Sequence, residues 1–211
     1  EVSAKCVRTT ISKSLPAIGI EYSDEAYQLE ITPDSIFIDA TSAKGAFYAR
    51  QAIKQLARHE RGKIRCCRIY SSPRYAWRGF MLDESRHFFG KEKVKQYLDL
   101  MALLHLNVFH WHLTDEPGWR IEIKKYPKLT EIGSQRSETM VDYFYTHYPF
   151  KYDGKPHGGF YTQDEIKEVV AYAQSKYITV IPEIELPGHA LAAIASYPEL
   201  SCTPDSTYEV C

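Results

Sequence analysis

Apolar and polar residues alternate near the start of the chain in a pattern that predicts a small α/β domain. Residues 27–31 alternate, 33–35 supply Pro, Asp and Ser, and 36–38 are apolar again, which together predict a β-hairpin. Apolar residues then recur at roughly helical spacing, so we predict a helix that is capped by Thr41 or Ser42.

A short hinge, Ser71-Ser72-Pro73, follows one more predicted strand at 63–70. We place a domain boundary there. The prediction is therefore a small α/β (α+β) domain over 1–72 and a second domain over 73–211.

Short apolar strands alternate with helices in the second domain. We predict strands at 77–83, 107–113 and 178–184, and helices at 91–105, after the capping box Thr162-Gln-Asp-Glu165, and at 190–196. Strands separated by helices favour a parallel sheet with right-handed crossovers. Charged residues follow each strand, at the edge where such folds carry active sites. A closed barrel of eight units needs about 250 residues, so this region can hold only part of one.

The composition of the chain argues against some classes of partner but does not indicate a function. The chain has 211 residues, 44% hydrophobic and 25% charged, with a net charge of -1. That charge gives no reason to expect nucleic acid or an anionic membrane as partner, and no apolar run approaches the roughly 20 residues of a membrane span. Because the chain opens on Glu1, we expect it to derive from something longer.

The five cysteines do not form a zinc motif. Cys66 and Cys67 are adjacent on a predicted strand and should point to opposite faces. A Cys202–Cys211 disulfide and free thiols are both left open.

Two histidines on the central strand allow a metal interpretation. His110 and His112 are two residues apart and should share one face of the strand. With Asp115 and His189 they could form a metal-dependent hydrolase site. The alternative is packing in the interior, which we favour because a His-x-His pair alone is a weak signal.

Acidic residues follow the same strand. Asp115 and Glu116 precede a Pro-Gly turn, so they form either a solvated loop or part of a site. His189 follows another Pro-Gly pair and could orient a carboxylate or cap a helix. Asp83 and Arg86, after the first strand, are interpreted as a structural ion pair.

Arg78 lies inside a predicted buried strand. A buried guanidinium must be paired, either with an internal carboxylate or with the oxygens of a ligand.

Several motifs together resemble the family 20 glycoside hydrolases, the β-N-acetylhexosaminidases. They are Trp77-Arg-Gly79, Leu82-Asp-Glu-Ser-Arg-His-Phe88, His110-Trp-His-Leu-Thr-Asp115, Gly118-Trp-Arg120 and Pro182-Glu-Ile-Glu-Leu-Pro-Gly-His189. Their order and spacing agree with the family, and residues 1–72 resemble the small domain that precedes its barrel. The resemblance covers nearly the whole chain.

The resemblance implies a (β/α)8 TIM-type barrel, of which this chain would hold the first three to four units. It implies a retaining enzyme that removes terminal N-acetylglucosamine or N-acetylgalactosamine, with the sugar's own acetamido oxygen as nucleophile and no cofactor or metal. By motif, Arg78 would hold the 3- and 4-hydroxyls of the sugar. Asp115 and His189 would form a hydrogen-bonded network that supports the general acid, with Glu185 close by. Relatives often carry Asp at the Glu185 position.

The family's catalytic Asp-Glu pair is missing from this chain. Adjacent Asp-Glu residues occur only at 24–25, 83–84, 115–116 and 164–165, none in the family's context. We therefore expect part of a hexosaminidase that is inactive alone and that self-associates through exposed half-barrel surfaces. A non-catalytic glycan-binding module is the alternative function. The family's glycan substrates imply an extracytoplasmic location.

Overall fold

The computed structural model describes residues 6–12, 15, 23–59, 63–141 and 149–210. The chain divides into two compact units. The first unit combines the residues up to Gly79 with Leu98–Val108 and Lys176–Ile178, and the second comprises Phe80–Tyr97, Phe109–Ser175 and Thr179–Cys211. The first unit thus extends past residue 72, and the boundary placed there stays a prediction.

A four-stranded sheet forms the core of the first unit. Its elements are β1 (Cys6–Ile11), β2 (Tyr27–Ile31), β3 (Ser35–Ala40), α1 (Ala43–His59) and β4 (Cys67–Ser71). The strand order is β1-β3-β2-β4, with β2 antiparallel to both neighbours and β1 parallel to β3. The predicted hairpin is confirmed, since β2 and β3 pair directly and Thr32 N donates to Ser35 O at 2.9 Å. Alternate residues of both strands, such as Leu29 and Ile38, are buried in one cluster with α1.

Ser42 is the cap of α1. Its hydroxyl oxygen accepts the backbone N–H groups of Lys44 at 3.0 Å and Gly45 at 3.2 Å. Thr41, the other predicted cap, instead donates its hydroxyl to the carbonyl of Ala26 at 3.1 Å. The helix start was therefore predicted correctly, and the structure decides between the two caps.

The rest of the chain alternates strands and helices. In order, the elements are β5 (Gly79–Asp83), α2 (Lys91–Leu103), β6 (Val108–His112), β7 (Thr114–Asp115), β8 (Gly118–Trp119), α3 (Lys128–Glu131), β9 (Gln135–Arg136), β10 (His157–Gly158), α4 (Gln163–Gln174), β11 (Thr179–Glu183) and α5 (Leu191–Ser196). Strands β11, β6 and β5 form one sheet in that order. The predicted α/β arrangement of three strands with intervening helices is confirmed.

The hydrogen bonds of β5 and β6 show that they run in the same direction. Asn107 N donates to Arg78 O at 2.9 Å before the strands, and Glu84 N donates to His112 O at 3.1 Å after them. Because parallel strands end at one edge, the residues that follow β5 and β6 meet there.

A buried arginine ties the loop after β5 to the long excursion between β6 and α4. Arg120 is fully buried, and among the described residues its guanidinium donates to backbone carbonyls. These carbonyls belong to Glu84, Ser85, Pro117, Ser134 and Gly159. Burial, helped by the nearby charge of Arg136, lowers the pKa of Arg120 to about 10. A Cβ at Gly118 would lie 2.2 Å from the guanidinium carbon, so any larger residue there would displace the Arg120 guanidinium.

The predicted capping box opens α4. Thr162 Oγ1 accepts the N–H of Glu165 at 3.2 Å, and the Glu165 carboxylate accepts the N–H of Thr162 at 3.1 Å.

No helix among the described residues is long and apolar enough to cross a bilayer. Cys6, Cys66, Cys67 and Cys202 carry free thiols. Cys211 lies outside the described residues, so the Cys202–Cys211 alternative stays open.

Candidate active site

Three neighbouring strands supply the charged groups of the candidate site. Strand β5 ends at Asp83, β6 is followed by Asp115, and β11 ends at Glu183. Glu185 and His189 come from the loop after β11. All of these residues belong to the second compact unit.

Asp115 is the buried centre of this cluster, with 2% of its surface exposed. Its Oδ2 lies 2.7 Å from Nη2 of Arg86 and 3.2 Å from Nε2 of His112. Its Oδ1 accepts the N–H of Glu116 at 2.7 Å and lies 3.4 Å from Nδ1 of His189. A carboxylate this deeply buried needs such partners, so Asp115 joins one guanidinium and two imidazoles at a single point.

The structure brings His189 to Asp115. Their 3.4 Å separation exceeds the usual N–H···O range of roughly 2.7–3.2 Å, so the contact is electrostatic rather than the hydrogen bond that the resemblance implied. Nδ1 of His189 is also 3.8 Å from Oε2 of Glu116, and 55% of its side chain is exposed. Its backbone φ of 51° is uncommon for histidine, and such conformations cluster at functional sites.

Glu183 and Glu185 form a hydrogen-bonded pair of carboxyl groups. The hydrogen bond to Glu183 raises the pKa of Glu185, together with partial burial and the Glu183 charge. Burial raises the pKa of Glu183, but the bond from Glu185 and the nearby imidazoles outweigh it, so the net shift is downward. The hydrogen bond thus favours the protonated form of Glu185 over that of Glu183. Its backbone N–H also donates to Thr114 Oγ1 at 2.8 Å.

His110 and His112 both face Glu183, as their spacing on one strand predicts. His110 Nε2 pairs with Oε2 of Glu183, and Nδ1 of His112 lies 3.5 Å from the same atom. His112 is buried, but His110 is partly exposed. The interpretation of both as interior packing residues therefore fits His112 better than His110.

Arg86 links two of the strand ends. Its Nη1 lies 2.8 Å from Oδ2 of Asp83, and its Nη2 pairs with Asp115. Partial burial works against the charge, but the two carboxylates outweigh it and raise the pKa of Arg86. The Asp83–Arg86 pair is confirmed. The third partner, Asp115, was missed because no local signal connects residues that follow different strands.

Arg78 precedes β5, and groups of the first compact unit hold its guanidinium. Nε donates to His105 O and Nη1 to Tyr75 O, both at 2.7 Å. Nη2 pairs with Glu25, which also binds Nζ of Lys44 at 2.6 Å. Of the two partners predicted for a buried guanidinium, the structure supplies the internal carboxylate. Sugar binding by Arg78 stays a prediction, and it would require these bonds to be exchanged.

One cluster among the described residues has metal-ligand spacing. Donor atoms of Asp115, Glu116 and His189 lie within 4.8 Å of one another. His110 and His112, the pair that suggested a metal, do not belong to it. The Arg86 cation on the other oxygen of Asp115 disfavours a second cation there.

Comparison with known protein families identifies the family of this chain. Residues 75–211 match the model of the glycosyl hydrolase family 20 catalytic domain, and residues 6–70 match domain 2 of the same family. The chain belongs to glycosyl hydrolase family 20. The predicted family and the partial TIM-type barrel after a small domain are thereby confirmed.

Known family 20 proteins are similar over almost the whole chain. A β-hexosaminidase of Porphyromonas gingivalis is 41% identical over 213 residues, which cover 97% of this chain and 25% of that protein. A crystal structure of a β-N-acetylhexosaminidase matches with a TM-score of 0.85 and 36% identity, over 99% of this chain and 41% of the other. A Vibrio harveyi family 20 exo-β-N-acetylglucosaminidase in complex with N-acetylglucosamine matches with a TM-score of 0.75 and 41% identity, over 92% of this chain and 29% of the other. The chain thus spans between a quarter and two fifths of the length of these relatives.

Proposed function

We propose that this chain contributes part of the active site of a retaining β-N-acetylhexosaminidase that removes terminal N-acetylglucosamine or N-acetylgalactosamine from glycans. The observation that carries the proposal is Asp115, a buried carboxylate that joins Arg86 and His189 at the carboxyl end of a parallel sheet in a family 20 chain. Family 20 enzymes use the substrate's acetamido oxygen as nucleophile. The enzyme must then supply a general acid and groups that hold the sugar.

In this proposal Asp115 and His189 support the general acid. Asp115 has too little exposure to act on a substrate directly, but His189 is half exposed and lies against it. A carboxylate that contacts one imidazole nitrogen orients the ring. The other nitrogen is then available to a neighbouring acid. Glu185, whose pKa the bond to Glu183 raises, adds a second carboxyl group beside the same loop.

Arg86 is the stronger candidate for holding the sugar hydroxyls. Its side chain is 47% exposed, and the carboxylates of Asp83 and Asp115 neutralise its charge. A neutralised, exposed guanidinium suits a neutral polyhydroxyl ligand, because its remaining N–H groups can donate without attracting anions. Arg78, the residue that the resemblance assigned, has its donors engaged by the protein.

The test is turnover of chromogenic N-acetylglucosaminide and N-acetylgalactosaminide by the full-length protein. Asp115→Asn should lower kcat about 100-fold, because it leaves Arg86 without a buried counter-charge and removes the negative partner of His189 (about 3 kcal/mol). Asp164→Asn, a similar change at a highly exposed position on α4, is the matched control and should leave kcat within twofold.

The isolated chain should show no turnover, because general acid catalysis is worth roughly 10²–10⁴-fold and its Asp-Glu pair is absent. Turnover by the isolated chain would contradict this account. Binding of N-acetylglucosamine without turnover by the full-length protein would point to a glycan-binding module instead.

A further inference from the structure

Glu84 is a fully buried carboxylate whose partners come from separate segments of the second unit. Its Oε2 accepts the indole N–H of Trp111 at 3.0 Å and the hydroxyl of Tyr161. Its Oε1 accepts the backbone N–H of Phe89 at 3.0 Å. Trp111 lies in β6, Tyr161 precedes α4, and Phe89 lies in the loop after β5. One side chain therefore joins three parts of the fold.

A charge in this place is costly unless it does something that an apolar side chain cannot. Taking a carboxylate out of water costs several kcal/mol, and well-packed apolar residues often replace buried charges without loss of stability. Burial raises the pKa of Glu84, and the bonds from Tyr161 and Trp111 oppose that rise. What a carboxylate adds over a leucine is directional hydrogen bonding. It fixes the relative positions of the segments that donate to it.

Two of those segments, the loop after β5 and the chain that continues from β6, carry the two partners of the site's ion pair. Trp111 lies in β6, and Asp115 follows the end of that strand at His112. Arg86 follows Glu84 by two residues, and its side chain reaches Asp115 at 2.7 Å. The bond between Glu84 and Trp111 therefore connects the strand that leads to the acid with the loop that carries the cation.

Further contacts hold the backbone on both sides of Arg86. Its N–H donates to Oδ1 of Asp83 at 3.0 Å, and its carbonyl accepts from Nη2 of Arg136 at 2.9 Å. The hydroxyl of Ser85 donates to the carbonyl of Gly118 at 2.6 Å. The backbone around Arg86 is thus anchored, while its side chain remains half exposed.

We propose that Glu84 is a positioning residue, whose hydrogen bonds to Trp111 and Tyr161 fix the distance between Arg86 and Asp115. The inference rests on the proposed function, because the reaction is what Arg86 would be positioned for. Glu84 touches no substrate in this account and acts through Arg86 alone.

The central variant is Glu84→Gln in the full-length protein. Glutamine keeps the size of the side chain but has a single acceptor oxygen. Its amide N–H₂ must then face either the backbone N–H of Phe89 or the Trp111 and Tyr161 side chains. In both cases the amide, a donor, faces another donor and a hydrogen bond is lost. We expect kcat/KM for the chromogenic N-acetylglucosaminide to fall at least tenfold.

A double-mutant cycle separates positioning from a general loss of stability. In an Arg86→Ala background the residue that Glu84 positions is gone, so Glu84→Gln should change kcat/KM by less than twofold. The matched control is Glu122→Gln, at a partly buried carboxylate whose Oε2 accepts the N–H of Gln163 at 2.9 Å. An amide oxygen can keep that bond, so the control should stay within twofold in both backgrounds. Equal effects of Glu84→Gln in the two backgrounds would overturn the inference.

A structural measurement keeps the inference testable whatever the activity is. In a crystal structure of the Glu84→Gln variant, the separation of Arg86 Nη2 and Asp115 Oδ2, 2.7 Å here, should exceed about 4 Å, the limit of an ion pair. An unchanged separation would show that Glu84 does not position Arg86. If the ion pair is lost in the variant and the wild-type full-length protein turns over neither glycoside, the positioning role is supported and the proposed function is rejected.

Discussion

Arg86 and Asp115 form an ion pair of 2.7 Å in which the cation is half exposed and the acid is buried. The two residues follow different strands, and the parallel arrangement of β5 and β6 brings their ends together. Buried Asp115 supplies a fixed negative charge, and Asp83 supplies a second one. The exposed part of the guanidinium therefore presents hydrogen-bond donors without excess positive charge, which suits neutral hydroxyl groups better than a phosphate or carboxylate.

The two candidate sugar-binding arginines can be separated by mutation. In the full-length protein, Arg86→Ala should lower kcat/KM about 100-fold, since bonds from a charged donor are each worth about 1.5–3 kcal/mol. Arg78→Ala should instead lower the free energy of unfolding by about 2 kcal/mol, because it removes one partner of buried Glu25 while Lys44 remains. Its effect on kcat/KM should stay below threefold.

Steady-state kinetics and urea unfolding of both variants check this assignment. A large loss of kcat/KM in Arg78→Ala with none in Arg86→Ala would restore the role that the resemblance gave to Arg78.

The contrast between these arginines shows how far sequence reasoning reaches. Local signals such as the Thr162–Glu165 capping box were predictable because both partners lie within one helical turn. Pairing of Asp83 with Arg86 was also local. The contact between Arg86 and Asp115 depends on strand order and register, which hydrophobic patterns do not specify. No spacing rule predicts that Asp115 and His189 meet, since 73 residues lie between them, and they were linked only through motif resemblance and the metal hypothesis.

Glu185 and Glu183 should respond differently to amide substitution. The bond to Glu183 raises the pKa of Glu185 and so favours its protonated form, which an amide resembles. In Glu185→Gln the amide N–H can donate in place of the acid, so kcat/KM near pH 6 should stay within about threefold. Glu183→Gln removes the charge that His110 contacts and should cost at least tenfold. Steady-state kinetics near pH 6 measure both effects, and the pH profiles of kcat/KM for the wild type and Glu185→Gln provide a second test.

Above the raised pKa of Glu185 the wild type carries two adjacent negative charges, whereas Glu185→Gln carries one. The variant should therefore lose less activity than the wild type as pH rises. An identical alkaline limb in both proteins would show that this proton does not matter to the reaction.

His157 should make the fold sensitive to acid. Its Nε2 accepts the N–H of Phe88 at 3.0 Å, and its ring stacks on that of His87. Burial, followed by the charges of His87 and Arg136, lowers the pKa of His157 to about 4. An unfolded histidine takes up a proton near pH 6.5, so the unfolded state binds more protons between about pH 6.5 and 4, and stability should fall as pH falls through that window.

Urea unfolding midpoints at pH 7 and pH 5 measure this effect. His157→Gln removes the titrating group while keeping an acceptor for Phe88, so the difference between the two midpoints should shrink. His59→Gln, at an exposed helix end, is the matched control. If His157→Gln and the wild type lose equal stability on acidification, the neutral acceptor role of His157 is wrong.

An apolar groove in the second unit should drive self-association of the isolated chain. The groove has a volume of about 430 Å³, and its lining includes Trp119, Tyr126, Ile184, Leu186, Tyr197 and Leu200. Leu186 and Leu200 are among its most exposed members. Covering one leucine is worth about 1.5–3 kcal/mol, so a second copy of the chain seated there would be held by several kcal/mol.

Sedimentation velocity should show a mass that rises with concentration, and Leu186→Glu with Leu200→Glu should return it towards the monomer. Leu104→Glu, an exposed leucine outside the groove lining, should leave association unchanged. A wild-type chain that stays monomeric at 100 μM, well above the concentration that such a contact requires (roughly 10 μM for about 7 kcal/mol), would contradict this prediction.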